Sequence, residues 1–119
     1  MELSIIIVSY NVKEKLKKNL SAIFEFYKDF PLEVFVVDNA SIDGSAEMVA
    51  EKFPQAKLIK NERNLGFAKA NNIAIRQAQS NFILLLNPDM LIFPETFINS
   101  LVFAKQNPRA VVSSCLLLN

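Results

Sequence analysis

Apolar residues along this chain fall into short runs separated by longer stretches of helical spacing. Leu3-Ser4-Ile5-Ile6-Ile7-Val8 is β-branched and mostly apolar, the pattern of a strand buried on both faces, and it ends at Ser9-Tyr10-Asn11. Val12, Leu16, Leu20, Ile23, Phe24 and Tyr27 then recur at helical spacing with lysines largely between them, and Pro31 closes that helix. Val34-Phe35-Val36-Val37 predicts a second strand that stops at Asp38-Asn39. Ser41-Ile42-Asp43-Gly44 reads as a helix start, with Ser41 or Asp43 as N-cap; Met48, Val49 and Phe53 supply the apolar face, and Pro54 ends it. Lys57-Leu58-Ile59 is a short third strand, followed by a polar loop from Asn61 to Asn64. Gly66 to Gln77 reads as a helix with Phe67, Ala70, Ile73 and Ala74 on one face. Phe82 to Leu86 predicts the fourth and most buried strand. Pro94 suits the first turn of a last helix carrying Phe97, Leu101 and Ala104, and Val111-Val112 is the start expected of a further strand.

Strands and helices alternating in this order predict an α/β fold with a mostly parallel, doubly wound sheet flanked by helices on both faces. In such sheets ligands bind outside the carboxyl ends of the strands. Those ends here are Ser9-Tyr10-Asn11, Asp38-Asn39, Asn61 to Asn64 and Asn87-Pro88-Asp89, so the first four predicted strands all deliver amides, hydroxyls or carboxylates to one edge. Each has a plainer alternative. Asp38 and Asn39 can be turn formers, Asp43 a cap, Tyr10 a packed aromatic with a wet hydroxyl, and Asn64, Asn71 and Asn72 a loop and a solvated helix start.

Composition narrows the chemistry. At 119 residues the chain has a one-domain length, and 51% hydrophobic residues rule out a disordered chain. Thirteen Lys+Arg against twelve Asp+Glu leave a net charge of +1, which gives no reason to expect nucleic acid as a partner. The apolar runs are too short to span a bilayer, the N-terminus lacks signal-peptide order, and the single Cys115 has no intramolecular disulfide partner. A cytoplasmic protein is expected. The chain has no His, which excludes Ser-His-Asp and Cys-His nucleophilic sites. Its two glycines, Gly44 and Gly66, are too few for a G-x-G-x-x-G turn or a P-loop.

Asp89 is the carboxylate least easily read as a mere turn former. Pro88 fixes one backbone angle and biases Asn87 away from the helical region, so the carboxylate is held in a defined direction at the mouth of the sheet. A hard cation such as Mg2+ or Mn2+ takes one or two carboxylates plus the oxygens of a diphosphate. One carboxylate beside the neutral Asn87 holds such an ion only if the substrate completes the shell.

Four segments together resemble the family 2 glycosyltransferases of the GT-A fold, a Rossmann-like half, and in particular their rhamnosyltransferase-like branch. They are Ile6-Ile7-Val8-Ser9-Tyr10-Asn11, Val36 to Ser45, Asn64 to Asn72, and Leu84-Leu85-Leu86-Asn87-Pro88-Asp89. The resemblance covers nearly the whole chain and implies roles. Ser9, Tyr10 and Asn11 border a pocket for nucleobase and ribose. Asp38 accepts a hydrogen bond from the imide N–H of uracil or thymine, and Asn39 supports that loop. Asp43 and the Gly44 turn shape the same pocket; Asn64, Gly66 and Phe67 close its side, with Asn71 or Asn72 near the nucleotide. Asn87 and Asp89 take the D-x-D position, where Asp89 holds Mg2+ or Mn2+ on the diphosphate of a dTDP- or UDP-linked sugar. Asn87 departs from the first acidic residue of that motif.

The family's reaction is an inverting displacement onto a saccharide or lipid-linked acceptor, with a carboxylate base and metal stabilisation of the leaving diphosphate. Family members run to about twice a domain of this length. Residues 1–119 are therefore expected to be the nucleotide-sugar-binding half, inactive alone, with the acceptor half and its base absent. The apolar ending Leu116-Leu117-Leu118-Asn119 fits that expectation of truncation. A half-domain exposes apolar surface, so a homo-oligomer, most simply a dimer, is expected, and the longer protein would work in the cytoplasm or at the inner face of the membrane. Two other readings stay open: a receiver-type signalling domain, which needs acidic residues where Ser9-Tyr10-Asn11 stand, and a non-catalytic nucleotide-binding or interaction module.

Overall fold

The computed structural model describes residues 3–106 and 116–118, and the predicted Val111-Val112 strand start lies outside them. The described elements are β1 (Leu3–Ser9), α1 (Lys13–Phe26), β2 (Leu32–Asp38), α2 (Ser45–Lys52), β3 (Lys57–Lys60), α3 (Phe67–Gln77), β4 (Phe82–Leu86), α4 (Thr96–Gln106) and β5 (Leu116–Leu118). One sheet holds the strands in the order β3-β2-β1-β4-β5. The first four run parallel and β5 pairs antiparallel with β4. The doubly wound α/β expectation is thus the fold found.

Strand alternation sorts the core into two layers. Leu3, Ile5 and Ile7 of β1 join Val34 and Val36 of β2 under α1 and α2, together with Phe97 of α4. Ile6, Phe35 and Val37 pack instead with Ala70 and Ala74 of α3. Ile5, Ile6 and Ile7 are all wholly buried, each contributing about 1.5–3 kcal/mol of burial free energy. The small Ala70 and Ala74 let α3 approach the sheet closely.

Four details differ from the sequence reading. The most buried strands are β1 and β2; Phe82 and Ile83 of β4 are only half-buried. β1 sits mid-sheet and is covered on both faces, whereas β4 has only the three-residue β5 outside it. Phe67 is off the core face, 63% exposed at the first position of α3. Gly44, with left-handed φ of 86°, stands at the N-cap position of α2 in place of Ser41 or Asp43. Pro94 lies in the turn before α4, whose first residue is Thr96.

The order of connection reverses between β1 and β4. The chain winds outward through β2 and β3, then returns to add β4 on the other side of β1. That topological switch point opens a crevice at the strands' carboxyl ends, flanked by the loops after β1 and β4.

Candidate functional site

The loops after β1 and β2 are interlocked by reciprocal hydrogen bonds. The Asn11 amide N–H donates to Ser41 Oγ at 2.9 Å, and Asn11 Oδ1 accepts from the Ile42 N–H at 2.8 Å. Asn11 has a left-handed φ of 51°, a conformation that Asn tolerates better than most residues. Asp43 completes the interlock: its Oδ2 accepts from the Lys13 N–H at 3.0 Å, and its Oδ1 from the Ser45 N–H at 3.0 Å and the Ser45 hydroxyl. Lys13 and Ser45 are the first residues of α1 and α2. One carboxylate therefore occupies an orphan N–H at two helix N-termini, where negative charge is favoured. Burial pushes the Asp43 carboxyl up, but the Ser45 and Lys13 hydrogen bonds outweigh it and hold it below the usual range.

A second hub ties β2 to the loop before α3. Asn39 Nδ2 donates to the Gly66 carbonyl at 3.3 Å, while its Oδ1 accepts from Asn61 Nδ2 at 2.9 Å and the Leu65 N–H at 3.4 Å. Asn64 Oδ1 accepts from the Gly66 N–H at 2.9 Å, a local side-chain turn. Gly66 itself has φ 81° and ψ 175°, a region essentially restricted to glycine. Phe67, which follows it at the start of α3, is exposed.

Between these hubs stand Ser9 and Asp38, register partners at the last positions of β1 and β2. Both are buried, at 0% and 3% exposure. Asp38 Oδ2 accepts from the Ser41 N–H at 3.0 Å, but Asp38 Oδ1 and Ser9 Oγ have no partner. Buried polar atoms are seldom left this way, because each costs about 1–3 kcal/mol. Asn71, also buried, spends its Nδ2 on the Phe67 carbonyl of its own helix and leaves Oδ1 unpartnered. Tyr10 is half exposed and Asn72 exposed.

Asn87, Pro88, Asp89 and Met90 form a turn closed by the Met90 N–H on the Asn87 carbonyl at 3.1 Å. Asn87 and Asp89 are both exposed at its surface. Asp89 lines a cleft of about 350 Å³ with Lys15, Lys18, Asn19, Pro88, Met90 and Leu91. Among the described residues no three His, Cys, Asp or Glu side chains gather as a metal cage. The donor set is one carboxylate and one amide, hard oxygens that suit Mg2+ or Mn2+ only when substrate oxygens fill most of the shell. On those terms the two side chains are of the donor chemistry that such an ion takes.

Two residues escaped the sequence reading. Asn19 is 3% exposed on α1 and donates through Nδ2 to the Met90 carbonyl at 2.9 Å. Tyr27 donates to the Phe93 carbonyl at 3.2 Å and accepts from the Phe97 N–H at 3.0 Å. Burial raises the Tyr27 phenol's pKa against the lowering pull of the Phe97 and Ile98 amides. The signal for Asn19 was a polar residue within the apolar stripe Leu16, Leu20, Ile23.

The family model described as Glycosyl transferase family 2 matches residues 4–117. The chain belongs to that family. It is 34% identical over 93 residues to the uncharacterized glycosyltransferase YfnE of Bacillus subtilis, covering 76% of this chain and 24% of the relative. It is 25% identical over 119 residues to the N-acetylglucosaminyl-diphospho-decaprenol L-rhamnosyltransferase of Mycobacterium tuberculosis, covering 91% of this chain and 38% of that one. Among solved structures, the mannosyltransferase PcManGT from Pyrobaculum calidifontis, in complex with GDP-Man and Mn2+, superposes with a TM-score of 0.76 at 29% identity, covering 87% of this chain and 32% of that one. Residues 1–349 of Staphylococcus aureus TarS in complex with UDP-GlcNAc give a TM-score of 0.75 at 28% identity, covering 96% of this chain and 38% of that one. These neighbours are GT-A glycosyltransferases. The chain spans 24 to 37% of the length of the first three curated relatives it matches. No described helix of this family 2 chain is long and apolar enough to cross a membrane.

Proposed function

We propose that this chain is the donor-binding part of a glycosyltransferase that moves a sugar from a nucleoside diphosphate to a saccharide or lipid-linked acceptor with inversion. The observation that carries the reading is the pair of unmet polar atoms, Asp38 Oδ1 and Ser9 Oγ, at adjacent strand ends beside the switch point. A buried carboxylate oxygen without a donor suits the imide N–H of uracil or thymine. Asn39, Asn61, Asn64 and Gly66 hold one wall; Asn11, Ser41 and Asp43 hold the other, with Tyr10 and Phe67 exposed for contact and Asn71 and Asn72 on α3 beside them. The GDP-Man and UDP-GlcNAc complexes of the neighbours support a nucleotide-sugar donor.

Asp89, with Asn87, would hold Mg2+ or Mn2+ on the donor diphosphate, and that ion would offset charge on the leaving group. The neighbour with bound Mn2+ supports this. The domain assignment, residues 1–119 as the donor half, belongs to the same proposal, as do the rhamnosyltransferase-like branch, a cytoplasmic setting and self-association. None of the described carboxylates is assigned as the base that activates the acceptor, so the chain alone is expected to be inactive in transfer.

Thermal melting with UDP or dTDP, with and without Mn2+, tests the reading. Either nucleotide is expected to raise Tm, and Mn2+ to add a further rise. Asp38→Ala should weaken nucleotide binding with or without metal, whereas Asp89→Ala should remove only the increment from Mn2+. No rise with either nucleotide, or equal losses in the two variants, contradicts the assignment.

A further inference from the structure

We infer that Asn19 is a positioning residue for Asp89, mooring the metal-binding turn to α1. The inference rests on the metal reading of Asp89 proposed above. The turn closes on itself through the Met90 N–H and the Asn87 carbonyl, and Pro88 restricts its second position. Internal closure sets the shape of the turn but not its direction relative to the sheet. Direction needs outside contacts: the Met90 side chain packs against the core under α1, and Asn19 adds the directional one, its Nδ2 reaching the carbonyl of Met90, the residue directly after Asp89, at 2.9 Å.

The mooring is stiff because Asn19 is itself held. It is 3% exposed between Leu16, Leu20 and Ile23, all wholly buried. An asparagine at a buried helix position is otherwise unfavourable, with low helix propensity and an Oδ1 left here without a partner. An apolar side chain would pack the stripe better. What asparagine adds is a donor aimed at the turn.

Tyr27, the C-cap residue of α1, provides an internal control. It anchors Phe93 and Phe97, beyond the turn, and leaves the Asn19–Met90 contact intact. Loss of either anchor destabilises the packing of the 90–97 segment on α1. Only loss of Asn19 removes the hydrogen bond next to Asp89.

The test compares the full 119-residue chain with Asn19→Leu, Asn19→Ser and Tyr27→Phe, using calorimetric binding of UDP and dTDP with and without Mn2+. Asn19→Leu is expected to keep metal-free nucleotide affinity and lose roughly 5–10-fold of the Mn2+-dependent gain, the value of one hydrogen bond. Tyr27→Phe is expected to lower Tm and keep that gain. Amide exchange at Met90, measured without nucleotide or metal, should quicken in Asn19→Leu and not in Tyr27→Phe. If Asn19→Leu fails to fold, Asn19→Ser, too short to reach Met90, takes its place. An unchanged Mn2+ gain in the Asn19 variants overturns this inference alone, and so does an equal loss in Tyr27→Phe. A wild-type chain that binds nucleotide without any Mn2+ gain overturns the metal reading and the inference with it.

Discussion

Glu33 shows how much a single residue can carry outside the candidate site. It lies in β2, 4% exposed, and accepts from the Ser4 hydroxyl at 2.7 Å, Lys57 Nζ at 2.7 Å and the Gln79 N–H at 2.8 Å. Burial pushes its carboxyl up, but the Lys57, Ser4 and Gln79 hydrogen bonds together hold it below the ordinary value of 4.5. A folded-state pKa below the unfolded one means that the stabilisation is full above about pH 4.5 and is lost as pH falls through the folded value. Glu33→Gln is therefore expected to cost about 1–3 kcal/mol near neutrality and to flatten the acid limb of stability, read by urea unfolding from pH 7 to pH 3. The Lys57 ammonium is half exposed, which keeps this below the cost of breaking a fully buried pair. Nothing in the spacing of Glu33 announced this role, because its three partners come from β1, β3 and the segment after α3.

At the scale of elements, helix starts were harder to read than helix bodies. The apolar stripes of α1, α2 and α3 were legible from 3.6-residue spacing, since that pattern is local. Their N-terminal satisfaction was not. Val12 and Gly44 make no side-chain cap, and Asp43 instead serves Lys13 from a distance of thirty residues in sequence. Asp43→Ala is accordingly expected to loosen two helices, not one. Amide exchange should accelerate at both Lys13 and Ser45, with a loss of about 1–2 kcal/mol in total stability. The depressed Asp43 carboxyl means that this contribution, like that of Glu33, fades as the solution is acidified. Acceleration at Ser45 alone would show that α1 does not depend on the carboxylate.

At the scale of the molecule, the outer face of α4 is more apolar than a solvated helix needs. Ile98 and Val102, one turn apart, are 43% and 49% exposed, and the preceding segment exposes Leu91 at 76% and Phe93 at 59%. Exposed apolar surface of this kind favours association. The 119-residue chain is expected to self-associate with rising concentration in light scattering. Val102→Lys and Ile98→Lys together should shift it toward monomer without altering its nucleotide-induced melting shift. A wild-type chain that stays monomeric at high concentration would contradict the self-association proposed with its function.

Several conclusions needed only the order of residues. The β-branched runs and helical stripes dictated alternating strands and helices, because the periods of 2 and 3.6 are properties of the local backbone. The polar strand ends placed amides, hydroxyls and carboxylates at one edge of the sheet, and the absence of His removed whole classes of chemistry. Other conclusions waited for residues distant in sequence to meet. That Asp38 has one oxygen met and the other unmet follows from Ser41 reaching only the first, and that Asp43 is an anchor follows from its backbone partners on two helices. Met90, the residue after Asp89, is held by an asparagine seventy-one residues before it. A sequence lists donors and acceptors, but which of them remain unmet depends on the partners that the closed sheet brings within 3 Å.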